Sequence, residues 1–582
     1  MPTFEVCREQ MGAQVTNMSD PLTDYEQLAD EAAPLDALLV DAAQGPLRRL
    51  APNASTAKLA AGLARRPITT TRRLGGLAAE LARIGVGTSV LAPPKRDRRF
   101  ADPAWTENLL LRRIVQAYLA AAMTADQLVG DAALDWQDDK RVRFLLENVD
   151  DALSPSNLPL VNPASAKAAV DTGGLNFVRG WTNLLRDLAA KPRIPEMVDT
   201  SAFQVGRNLA VTPGAVVLRT EVFELIQYRP QTEQVREVPL LIVPPTINKY
   251  YALDLAPGRS LAEYLVRGGQ QVFVMSWRNP DARYASRGLD SYASAVLDAL
   301  DAAQRVSGAS QAALIGVCAG GIISSVTVAH LAATGRLGQL AAFGLFVTVL
   351  DTARAGTAGA LFDRKLPAAA KEMSARRGYL DGRDLAEVFA WLRPDDLIWN
   401  YWVNNYLLGK KPPAFDVLFW NADTTRMTAR LHADFVDLAL DNKLVTPGAL
   451  TALGTQVDLS RIDTDAYLVA GIADHITPWQ NCYRSTQLLG GTSRFILSTS
   501  GHIAALVNPP GNPKARYQTG KTTPADPESW LQAAQTEQGS WWPDMLAWLG
   551  DRCGADKPAP EELGGGGLRP LADAPGTYVF DT

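Results

Sequence analysis

The chain has 582 residues, 47% hydrophobic and 20% charged, and its 57 basic against 62 acidic residues leave a net charge of -5. A balance so near neutral gives no sign of a surface built for nucleic acid, and the length allows a large core spread over more than one domain. Cys7, Cys318, Cys482 and Cys553 lie far apart with no Cys-x-x-Cys pair, which excludes a zinc site and a disulfide framework and suits a reducing cytoplasm. Glu5, Arg8 and Glu9 interrupt the apolar run that a signal peptide needs, so export is not expected.

From about Tyr25 to Leu188 the apolar residues fall at helical spacing, which predicts a mainly helical N-terminal domain over residues 1–200. Leu109, Leu110, Ile114, Ala117, Tyr118 and Ala121 recur at steps of three and four. They predict one amphipathic helix from Pro103 to Met123, entered through a proline. The basic run Lys95, Arg96, Arg98 and Arg99 reads as a solvated loop, and Leu153 to Pro163, with three prolines, as a linker or extended arm.

After Pro213 short apolar runs alternate with helical patterns, the mark of a mainly parallel sheet, and residues 201–582 are assigned to one catalytic domain. Val216 to Tyr228 predicts an antiparallel pair near the edge. Val238–Val243, Gln271–Ser276, Ala312–Ile315, Phe343–Leu350, Ala466–Ala470 and Arg494–Leu497 are the strands that follow. Between Asp351 and about Leu459 the alternation gives way to an insertion crowded with aromatics, among them Phe389, Trp391, Trp399, Trp402, Tyr406, Phe419 and Trp420. An insertion of that length predicts a folded cap placed to act as a lid. Beyond Arg552 the Gly, Pro and Ala content predicts a poorly ordered or surface-draped tail.

The candidate chemistry centres on Gly316-Val-Cys-Ala-Gly-Gly321, where a strand, a sharp turn and a helix follow in that order. It has the Gly-x-Ser-x-Gly frame of a nucleophile elbow with Cys318 at the serine position, its glycines expected to permit the strained backbone. Ser307 to Thr334 carries no charge and is long enough to span a membrane, but its glycines and polar residues argue for the elbow instead. An elbow of this fold needs an acid and then a histidine, each after a later strand. Asp474 follows Ala466–Ala470 and His502 follows Arg494–Leu497. His475 is a rival base, poorly oriented by its own neighbour, while His330 and His432 read as structural. The backbone N–H of Ala319 and one from Thr246 or Ile247 would form the oxyanion hole, since Pro244 and Pro245 have no N–H. A thiolate exchanging one thioester for another keeps the acyl group activated, so cysteine favours transfer from a coenzyme A thioester. A cysteine-dependent thioesterase or polyester hydrolase of the same fold is the alternative.

The sequence resembles the polyhydroxyalkanoate synthases over most of its length. The resemblance rests on Arg99-Phe-Ala-Asp-Pro-Ala-Trp105, Val243-Pro-Pro-Thr-Ile-Asn-Lys-Tyr-Tyr-Ala-Leu-Asp-Leu255, Ser276-Trp-Arg-Asn-Pro280 and the elbow. It continues in Leu392-Arg-Pro-Asp-Asp-Leu-Ile-Trp-Asn-Tyr401, Asp474-His-Ile-Thr-Pro-Trp479, Ser500-Gly-His-Ile503 and Ala574-Pro-Gly-Thr-Tyr-Val579. It implies an α/β-hydrolase fold with a cap, preceded by a helical N-terminal domain. It also implies Cys318 as nucleophile, Asp474 and His502 completing the triad, and Asn248 near the acyl or oxyanion position. The implied reaction polymerises 3-hydroxyacyl-CoA into polyester with release of CoA. No metal or cofactor is implied. The long N-terminal region resembles the single-subunit type, which works as a homodimer through the cap, in the cytoplasm, on polymer granules with granule-coating proteins. Preference for short- or medium-chain monomers stays open.

Overall fold

The computed structural model describes residues 54–95, 97–189, 191–352, 366–392, 394–474 and 476–582. Runs of apolar residues between turns fold into one eleven-stranded sheet. In chain order its strands are β1 (Gly214–Arg219), β2 (Phe223–Tyr228), β3 (Leu240–Val243), β4 (Val272–Trp277), β5 (Ala312–Val317) and β6 (Leu340–Phe346). β7 (Ala466–Gly471), β8 (Ser493–Ser498), β9 (Arg516–Thr519), β10 (Gln535–Gln538) and β11 (Ala572–Asp573) complete it. The spatial order is β10-β9-β8-β7-β6-β5-β3-β4-β2-β1-β11. Pairing is parallel from β4 across to β8 and antiparallel on both flanks.

Strands covered on both faces must be apolar at successive positions, and β3, β5 and β7 are buried throughout. Alternate residues serve two cores. Leu241, Leu314, Phe343 and Leu468 enter one, while Leu240, Ile315, Phe346 and Tyr467 enter the other. β6 begins and ends earlier than its expected span of Phe343–Leu350; its regular conformation stops at Val347, whose φ is positive at 44°. The antiparallel pair β1–β2 forms as expected, with β11 added outside it.

The described part of the N-terminal region is helical, but the helix expected from Pro103 to Met123 is broken. Ala104–Glu107 ends at Asn108, whose side chain accepts hydrogen bonds from the N–H groups of Leu110 and Leu111 and starts the helix Leu109–Ala132. This local cap overrides the apolar period, and Leu109 and Leu110 point into solvent. Of the basic run, Lys95 and Arg98 are exposed and Arg96 lies outside the described residues. Arg99 is not solvated: its guanidinium fork is held by Asp97 at 2.9 Å and Asp151 at 2.8 Å. Leu153–Pro163 is no loose linker either. Ser154 to Asn157 are buried, and the Asn157 carbonyl accepts from the Trp402 indole of the insertion at 3.1 Å.

The insertion folds, where described, as the helices Leu366–Arg377, Gly382–Leu392, Asp416–Ala422 and Ala429–Leu440, with π-helical turns at Asp395–Trp399 and Trp402–Leu407. It also rests on the N-terminal helix Leu175–Ala189, where Asn176 donates to the Leu407 carbonyl at 2.7 Å and Tyr406 to Asp187 at 2.6 Å. Of the two expectations for the tail, poor order does not hold. β11 extends the sheet, and Glu224, fully buried and paired with Arg219, accepts from the Thr577 N–H at 2.8 Å and the Tyr578 N–H at 3.0 Å. A buried carboxylate is costly unless hydrogen-bonded, and the tail supplies the donors. Among the described residues no helix is long and apolar enough to cross a membrane.

Candidate active site

β5 delivers Cys318 at the head of the helix Ala319–Ala333. Cys318 itself takes the strain, with φ 51° and ψ −120°, and its N–H is held by the Phe346 carbonyl at 2.8 Å. The glycines do something other than expected. None of the three has a positive φ; each lets another segment of the chain come close. A methyl on Gly316 would lie 2.6 Å from the Gly321 Cα, and one on Gly320 would lie 2.5 Å from the Val243 carbonyl. Their small size packs strand, helix and the loop after β3 together.

The loops after β7 and β8 bring Asp474 and His502 to this elbow. His502 Nδ1 lies 2.7 Å from Asp474 Oδ2, and Cys318 is close enough to contribute to the His502 pKa. Burial disfavours the imidazolium, but the charge and hydrogen bond of Asp474, with a lesser contribution from Cys318, push the His502 pKa up to about 10. Burial also pushes the Asp474 carboxyl up. The charge of His502 and the donors around the carboxylate outweigh it and hold Asp474 below the ordinary range. Those donors include the Ile476 N–H at 2.8 Å, the Thr477 N–H at 3.0 Å and the Thr477 hydroxyl at 2.5 Å.

Thr477 is a support beyond the expected triad, although the Asp-x-x-Thr spacing is a legible side-chain-to-backbone turn. Trp541 and Trp542 are further supports outside the expected site. Their indole N–H groups bond the carbonyls of Ala505 at 2.8 Å and Leu506 at 3.1 Å, securing the short helix that starts at His502. No local signal links them to a histidine so distant in sequence. His475 lies outside the described residues. His330 bonds the Thr455 hydroxyl at 2.9 Å, and His432 is fully buried in the insertion. Cys482 and Cys553 are buried, with thiol pKa values pushed up by burial. They behave as small apolar residues.

Ala319 is fully buried at the helix start, and the loop after β3 runs alongside it through the close approach at Gly320. Thr246 is buried, Ile247 half-buried, and Asn248 has a φ of 62° with its side chain donating to the Asn421 carbonyl at 3.4 Å. The loop is thereby placed beside the elbow, while Asn248 directs its amide to the insertion.

A mainly parallel sheet, a residue strained at the head of the helix that follows β5, and a histidine bonded to a buried carboxylate at the ends of later strands define an α/β-hydrolase-fold protein with Cys318 at the elbow. The family model for the alpha/beta hydrolase fold matches residues 239–509, and that described as Poly-beta-hydroxybutyrate polymerase (PhaC) N-terminus matches residues 96–265. The chain is 46% identical over 516 residues to Poly(3-hydroxyalkanoate) polymerase 2 of Ectopseudomonas oleovorans, covering 89% of this chain and 92% of that one. It is 40% identical over 500 residues to Poly(3-hydroxyalkanoate) polymerase subunit PhaC of Cupriavidus necator, covering 85% and 84%. The chain belongs to the poly(3-hydroxyalkanoate) polymerase family.

Proposed function

We propose that this protein polymerises 3-hydroxyacyl-CoA into polyester through a covalent thioester on Cys318. The observation that carries the reading is His502, 2.7 Å from Asp474 and near enough to Cys318 for the thiol to help raise its pKa. The Cys318 thiolate, its proton held on the His502 imidazolium, attacks the thioester carbonyl. The oxyanion is met by the N–H of Ala319 and one from Thr246 or Ile247, with Asn248 close to the acyl group. The carbon–sulfur bond to CoA breaks, and CoA leaves with a proton returned by His502. The 3-hydroxyl of another unit then loses its proton to a base and attacks the Cys318 thioester, which joins the two units by an ester and frees a thiol. Asp474 orients His502. A second role, deprotonating the hydroxyl, is tested by an Asp474→Asn variant that acylates normally and fails to elongate.

The reaction calls for no metal or cofactor beyond its substrate. In this reading residues 1–200 form the N-terminal domain and 201–582 the catalytic one. The insertion, about 351–459, caps the site and provides the homodimer face. The protein works in the cytoplasm on polymer granules beside granule-coating proteins. The test is incubation with 3-hydroxybutyryl-CoA and 3-hydroxyoctanoyl-CoA. Free CoA thiol with insoluble polymer supports the reading and reports the monomer preference; CoA with free hydroxy acid alone replaces it with a thioesterase.

A further inference from the structure

The loop after β3 is gripped from the cap along its whole length. The Thr425 hydroxyl donates to the Thr246 carbonyl at 3.2 Å, Asn248 reaches the Asn421 carbonyl, and the buried Trp420 indole donates to the Lys249 carbonyl at 2.7 Å. The strongest link is Asp423. One of its carboxylate oxygens lies 2.9 Å from the Lys249 ammonium and the other accepts from the Tyr251 hydroxyl at 2.8 Å. The Lys249 side chain is only 7% exposed, so its charge depends on a partner. Asp581 of the tail is a second acidic neighbour, and Lys249 offsets part of the rise that burial imposes on its pKa.

Asn248 meanwhile sits in the left-handed region, a conformation that persists only where the surroundings over-determine it. Asp423 ties down the two residues on one side of it, and Thr425 the residue before Ile247 on the other. Five contacts from four cap residues therefore fix the loop from which the second oxyanion donor must come.

We propose that Asp423 is a positioning residue: by joining Lys249 to Tyr251 it couples the cap to the oxyanion loop, so that the oxyanion site is complete only while this cap segment is docked. The coupling acts on the step in which negative charge develops on the carbonyl oxygen and leaves the Cys318–His502–Asp474 line alone. It rests on acyl transfer at Cys318.

The test compares two readouts in the full-length protein. Asp423→Asn is expected to lower kcat for CoA release by about tenfold to a hundredfold, less than the roughly 10²- to 10³-fold of losing an oxyanion donor outright, with KM changed less than about twofold. Iodoacetamide labelling of Cys318 develops no carbonyl oxyanion and should stay within about twofold of the parent rate. Asp423→Glu, which keeps the charge, should recover most of kcat. Lys249→Met combined with Asp423→Asn should lose no more than either alone. An unchanged kcat in Asp423→Asn overturns the proposal, as does labelling that falls in step with kcat, or additive losses in the double variant. If Asp423→Asn fails to fold, Tyr251→Phe reads the same split at about threefold to tenfold, the worth of one hydrogen bond, and an unchanged kcat there overturns it equally. Parent protein that releases no CoA sinks acyl transfer itself, whereas a parent-like Asp423→Asn sinks only the coupling.

Discussion

On one side of Cys318, Asp474 receives its donors from Ile476 and Thr477, two and three residues along the same loop, and passes their order to His502. On the other side, the loop after β3 draws its support from cap residues more than 170 positions away in the chain. The activating side is thus built into the sheet ends and would survive a movement of the cap. The oxyanion side would not. Activation of the thiol and stabilisation of the oxyanion are separable properties of this site, and substitutions should distinguish them.

The largest effect is expected at the point the two sides share. Cys318→Ala should abolish CoA release, a fall of about 10⁴-fold or more, with thermal unfolding nearly unchanged because a small buried side chain is replaced by another. Retained polymer formation would end the covalent mechanism. Next comes His502→Ala, on the activating side alone: CoA release should fall about 10³-fold, and iodoacetamide labelling at neutral pH should slow about tenfold or more. Equal labelling rates would contradict the pairing of His502 with Cys318.

Asp474→Asn tests the same side through pH. The carboxylate holds the imidazolium to about pH 10, and burial alone would lower the pKa. Without the charge the His502 pKa should drop below its ordinary value of about 6.5, observable by NMR of the imidazole. The sign for stability follows. A histidine raised on folding contributes fully below about pH 6.5, and the contribution is lost as pH rises towards about 10. The parent protein should lose stability over that window relative to Asp474→Asn, whose slope should be flat or reversed.

The same division marks what the sequence makes legible. Cys318, Asp474 and His502 can be read because the fold demands their order and each follows a short apolar strand. Their support by Thr477 is a three-residue pattern open to the same reading. The break at Asn108 is written locally as well, in a cap whose signal loses to the apolar repeat running through it. By contrast, Asp423 has no local mark, since its partners are defined only once the cap has folded over the loop. The tail carries no period at all. Its order comes from Glu224, a carboxylate 353 residues away that must be satisfied where it is buried. The elbow glycines are recognisable as a motif, but close packing is what they provide, and only the neighbouring chains reveal that.

The smallest effect expected comes from Trp541→Phe, on the activating side and away from the reacting atoms. Losing the indole N–H leaves the buried Ala505 carbonyl without its donor, at a cost of about 1–3 kcal/mol, and loosens the short helix that starts at His502. CoA release should fall a few-fold, about what a slightly displaced base produces. Its signature matters more than its size. Because the displaced group is the base, labelling of Cys318 should fall by the same factor as CoA release, whereas Asp423→Asn lowers CoA release alone. A Trp541→Phe protein that labelled at the parent rate while releasing CoA slowly would place the indole on the oxyanion side, and the sheet-held and cap-held halves would no longer be distinct.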